Sequence, residues 1–103
     1  MVAYKVTTDG RSIYAPASGA VRYALGVTTR RPKGCGPLAV FDTLDHAVAF
    51  LVENTYGFPY RAIFECHIRK SQATELWTSD GHTQCLFPKG TILANTVTPL
   101  RRV

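Results

Sequence analysis

The chain is short of the features that would mark it as secreted, metal-bound or membrane-spanning. Cysteine occurs three times, at Cys35, Cys66 and Cys85, an odd number with no Cys-x-x-Cys pair. That count argues against a disulfide framework, a zinc knuckle and a thioredoxin-type redox motif. No run approaches the roughly 20 apolar residues that a bilayer span requires. The opening MVAYKVTTDGRS holds no apolar stretch of signal-peptide length. A cytoplasmic protein with reduced thiols and no membrane contact is therefore expected. Acidic residues are also few: 7 Asp and Glu stand against 12 Lys and Arg, for a net charge of +5. No internal repeat or low-complexity tract is present.

What remains suffices for one domain over residues 1–103. A chain of 103 residues that is 46% apolar has surface enough to bury for one core but not two. Disordered chains are poorer in such residues and richer in net charge. The basic excess favours an anionic partner: a nucleotide, a nucleic acid or an acidic protein surface. Most of the cations are arginine, whose planar fork suits phosphate and carboxylate.

The hydrophobic pattern predicts an α+β fold, a mostly antiparallel sheet of five to six strands packed against one main helix at about Thr43–Thr55. VAYKVT (residues 2–7) alternates as a strand, and Asp9-Gly10 is a hairpin turn. RSIYA reads as a second strand. VRYALGV (residues 21–27) reads as a third, with Val21, Tyr23 and Leu25 on one face and a bulge or close approach at Gly26. LAVF (residues 38–41) is apolar throughout, as in the middle of a sheet. Asp42 or Thr43 caps the helix, and Leu44, Ala47, Val48 and Leu51 form its buried stripe, widened by Phe50. Asn54, Gly57 and Pro59 end it.

In YRAIFECHI (residues 60–68), Tyr60, Ala62, Phe64, Cys66 and Ile68 share a face. Ile63 interrupts the other, polar face, a sign that it is partly covered. A short edge strand is expected near ELW, a closing strand at GTILANTV, and PLRRV reads as a basic tail.

Candidate ligand-binding residues follow from charge beside aromatic rings, which serves a ligand with a phosphate and a base. Arg30, Arg31 and Lys33 lie within four positions, and Gly34 and Gly36 beside them could present backbone N–H groups. The spacing matches neither a Walker loop nor a dinucleotide fingerprint, so this segment is first a connector. Arg11 and Arg22 would share a face if their strands pair, with Tyr14 or Tyr23 nearby for stacking. Trp77 is either a loop anchor or a pocket edge.

No metal ligands, cofactor or catalytic residues are assigned. Cys66 and His67 are adjacent in a strand and point to opposite faces, and His82 with Cys85 has no second pair. No Gly-x-Ser-x-Gly or His-Glu-x-x-His motif is present. Asp80, His82 and Cys85, and likewise Glu65 with His67, are explained by a polar turn and a wet strand face.

Three stretches together, AYKV with RSIYA, GCGPLAVFDTLDHAVAF, and FPKGTILANTV, resemble a pattern in small proteins of phage and prokaryotic genomes. The resemblance covers most of the chain and rests on a loop, a capped helix and strands. It implies no assigned activity and no catalytic residue. What it implies is a context in which compact basic proteins act by binding, including anti-defence sponges that sequester nucleotide immune signals in a host cytoplasm.

The expected function is non-enzymatic binding of a small anionic, nucleotide-derived ligand through Arg11, Arg22, Tyr23, Arg30, Arg31, Lys33 and Trp77. The pocket is expected to be shared between copies of a homo-oligomer. Ranked below it are a nucleic-acid-binding module, a small phosphodiesterase acting on such a signal, and a module meeting an acidic host protein.

Overall fold

The first strand pairs along both edges, and this sets the architecture. In the computed structural model, residues 1–12, 21–77, 81 and 83–103 are described. The elements are β1 (Val2–Thr8), β2 (Thr29–Arg30), β3 (Leu38–Phe41), α1 (Leu44–Asn54), β4 (Arg61–Lys70), β5 (Leu76–Trp77), β6 (Thr83–Gln84) and β7 (Thr91–Arg102). The main sheet has the order β2-β7-β3-β1-β4, and β7 also pairs with β4. Strands β7, β3, β1 and β4 thus close a small antiparallel barrel, with β2 added on β7. The fold is α+β, as the pattern predicts.

Closure depends on β7. Its first residues pair with β3, Thr91 opposite Phe41 and Ala94 opposite Leu38. From Ala94 to Arg102 it pairs with β4. The register skips Asn95 and Leu100, and such bulges bend a strand and increase its twist. The interior is narrow and filled by small side chains: Ala3, Val40, Cys66, Ala94 and Val97 are all fully buried.

Alternation then assigns the faces. On β1, Ala3 packs in this interior, while Val6 belongs to a second core with Phe41, Ala47, Phe50 and Ile63. That second core lies between the barrel wall and α1, and the Phe41 and Phe50 rings are 5.0 Å apart. Ile63 is the apolar residue on the polar face of its strand, and α1 is what covers it.

The helix starts where Thr43 Oγ1 accepts from the His46 N–H at 3.2 Å, with Asp45 in the positive first turn. It ends at Thr55, whose backbone N–H and side-chain hydroxyl both donate to the Leu51 carbonyl. The buried stripe is Leu44, Ala47, Phe50 and Leu51. Val48, expected in it, is exposed.

Four further expectations are corrected. The third strand does not form, because the chain turns at Ala24–Val27: Val27 N–H donates to the Ala24 carbonyl at 3.1 Å and Gly26 has φ +72°. Leu25 is accordingly exposed, while Tyr23 is buried. Tyr60, with φ 53°, is exposed and outside the strand it was expected to open. The basic tail belongs to β7, which runs through Pro99 at one of the skips, a place where a missing N–H is tolerated. Within the basic connector, Thr29–Arg30 is a two-residue strand.

The hairpin at Asp9-Gly10 forms with positive φ at both residues, the geometry of a type I′ turn. Residues 13–15 of the expected second strand, with Tyr14, lie outside the described residues, as do Asp80 and His82. Among the described residues no helix is long and apolar enough to cross a membrane.

Candidate functional site

The barrel is incomplete at one seam, and a cavity opens there. β1 and β3 share a single pairing, Tyr4 with Phe41. Past it the strands part, and the Lys5 side chain takes over: its Nζ donates to the Ala39 carbonyl at 2.8 Å. Beside this seam lies a cavity of about 270 Å³, walled by Lys5, Tyr23, Cys35, Leu38, Trp77 and Phe87 among others.

Lys5 is there because strand alternation leaves it no other face. It lies between Ala3 and Thr7, both fully buried, and is itself only 8% exposed. Its ammonium lies 5.0 Å from the centroid of the Tyr23 ring, a favourable contact with the electron-rich face. No carboxylate among the described residues forms an ion pair with it. Burial therefore lowers its pKa to about 8, against a smaller upward pull from Cys66.

The surrounding groups respond to the same desolvation. The Cys66 thiol is pushed up to about 11, chiefly by burial. The Tyr23 phenol rises above its ordinary value for the same reason. The Tyr23 hydroxyl is buried without a hydrogen-bond partner among the described residues, an unmet donor that is costly in an apolar setting.

The outer wall is built by a close approach. Gly36 N–H donates to the Trp77 carbonyl at 2.8 Å. A Cβ placed on Gly36 would lie 2.7 Å from Trp77 Cε3, so only glycine lets the β5–β6 hairpin close over the 32–37 loop. Trp77 is both loop anchor and cavity wall. The Arg31 guanidinium carbon lies 5.8 Å from the centroid of its ring.

Of the residues singled out in the sequence, Tyr23 and Trp77 line this cavity, and Arg31 lies against the Trp77 ring without lining the cavity. The others do neither. Arg11 and Arg22 do face one another across an antiparallel bridge, but both are exposed, and adjacent Tyr23 turns inward. Lys33 is exposed in its loop. Arg30 opposes Thr96, and Thr96 opposes Arg69 on the far side of β7. These three form one cross-strand row on the outside of the barrel, spanning about 10 Å.

Glu65 is held by Arg101, and exposed His67 lies opposite Thr98. Asp42 and His46 pair at 2.6 Å, which lowers the Asp42 pKa. Among the described residues no group of three metal-ligating side chains converges.

Sequence reasoning missed Lys5. The signal was present: VAYKVT alternates, and its inward positions are Ala3, Lys5 and Thr7, a lone cation between two small residues. No family model matches the chain, and no curated protein or solved structure matches it either.

Proposed function

We propose that this protein binds a small anionic ligand carrying a flat ring, a class that includes nucleotide-derived signals. The ring enters the cavity against Trp77 and Phe87, an acceptor on its inner edge meets Lys5, and the anionic group turns toward Arg31, which lies against the Trp77 ring. The observation that carries this is the buried Lys5 ammonium: it lines an apolar cavity and has no counter-ion among the described residues. Burying a cation costs several kcal/mol in such surroundings, and a ligand acceptor would offset part of that cost. The residues named here all belong to a single copy of the chain. The phage context implied by the sequence pattern agrees with a sequestering role.

The test is a melting experiment with cyclic and linear nucleotides and simple aromatic carboxylates. A rise in Tm with at least one member at sub-millimolar concentration is expected, and its loss in Trp77→Ala would locate the site. A flat response across the panel would sink the proposal.

The row Arg30–Thr96–Arg69 supports a second function, contact with a nucleic-acid backbone along the outer wall. Its mark is salt dependence: affinity for generic DNA or RNA should fall steeply as salt is added, whereas cavity binding follows ligand identity.

A further inference from the structure

We infer that Lys5 captures aromatic aldehydes covalently, as an imine formed inside the cavity. This rests on the cavity being a ligand site and adds what the inner end of the ligand carries. Four lysines are present, and Lys33, Lys70 and Lys89 are exposed whereas Lys5 lines the cavity. An exposed lysine amine is protonated and hydrated, and any imine on it is open to hydrolysis. Lys5 differs on both counts.

Among the described residues its one hydrogen-bond acceptor is the neutral Ala39 carbonyl, and no carboxylate there holds it in the ammonium form. With its pKa near 8, roughly a tenth is free amine at pH 7, compared with less than about a thousandth for an ordinary lysine. Leu38, Trp77 and Phe87 keep the surroundings apolar, the setting in which lysines serve as carbonyl nucleophiles.

The step balances without an oxidant or reductant. The amine lone pair attacks the carbonyl carbon and forms the C–N bond, while the π pair moves to oxygen. The carbinolamine then expels that oxygen as water, carrying away both protons of the original amine, and the C=N bond remains. An aldehyde with an aromatic ring and an anionic group fits best, since the Arg31 guanidinium lies against the Trp77 ring that walls the cavity. Cys35 also lines the cavity. A thiol gives only a reversible adduct that hydride does not fix on sulfur, so reduction separates the two nucleophiles.

The experiment uses 4-formylbenzoate with sodium cyanoborohydride, followed by digestion and mass spectrometry, and 4-methylbenzoate as the analogue without an aldehyde. Lys5 should be alkylated at least ten-fold faster than Lys33, Lys70 or Lys89, with a rate that rises with pH around a midpoint near 8. Lys5→Met should remove this adduct while still unfolding in one cooperative transition. Even labelling of all four lysines would overturn the inference. A Tm rise with 4-methylbenzoate but no Lys5 adduct would overturn imine formation and leave the binding site standing. Neither a Tm rise nor an adduct would remove both.

Discussion

Gly36 and Trp77 lie so close that no side chain fits between them: a Cβ on the glycine would meet the Trp77 ring at 2.7 Å and its backbone nitrogen at 2.8 Å. The need is for space and not for an unusual backbone angle. Elsewhere Gly→Ala stabilises by about 0.4–1 kcal/mol through the unfolded chain, so here the sign of the effect is diagnostic. Gly36→Ala should instead destabilise by about 1–3 kcal/mol. Thermal unfolding checks the loss, and a red shift of the tryptophan emission shows that Trp77 has left the wall.

Lys5→Met should stabilise the protein at neutral pH. The ammonium has a pKa of about 8 when folded and 10.5 ordinarily, so between these values the unfolded chain binds more protons and stability rises with pH. Below pH 8 the full penalty, about 3 kcal/mol, is present. The lost bond to Ala39 returns about 1 kcal/mol of it. The Cys66 thiol, at about 11 folded and 9.0 ordinarily, acts in the opposite sense from pH 9 upward. Urea unfolding between pH 7 and 9 isolates Lys5: the wild type should gain stability above pH 8, and Lys5→Met should stay flat.

Charge should matter at one arginine and not at its neighbours. Arg31→Ala should weaken binding of an anionic ring ligand by about ten-fold, the scale of one exposed to partly desolvated cation–π or ionic contact. Arg11→Ala, Arg22→Ala, Arg30→Ala and Lys33→Ala should leave it unchanged, because of the five only Arg31 lies against the Trp77 ring. Calorimetric titration of the five variants decides this. A uniform loss would instead indicate attraction by net charge.

Thr55→Val keeps the shape of the helix end and removes its hydroxyl. Thr55 is fully buried and donates to the Leu51 carbonyl through that group. Stability should fall by about 1 kcal/mol, with the loss visible as a lower urea midpoint at unchanged slope.

Much of the fold was legible because periodicity reports burial directly. LAVF and the capped helix stand where their patterns put them, and Ile63 announced the covering helix. The errors have local causes. Val21–Val27 alternates like a strand, yet Gly26 in the left-handed region turns the chain before a ladder can form. Pro99 reads as a strand end, yet a register skip absorbs its missing N–H.

The site was legible only in part, because cations were sought by clustering along the chain. Arg30, Arg31 and Lys33 are neighbours in sequence, but a strand and a turn send them in different directions. The cation that lines the cavity is the isolated one, placed inward by alternation alone. That Trp77 would meet Arg31 and Gly36 depends on a hairpin folding over a loop more than 40 positions away, a contact no spacing rule encodes.

A ring of strands leaves other molecules little to extend. Because β7 pairs with β3 and β4 at once, much of its own backbone is occupied, and among the described residues the outlying β2, β5 and β6 have two residues each, too short to template growth. Aggregation of this protein should therefore track the population in which β7 has peeled away, and a tether holding that strand in place would suppress it without touching the surface.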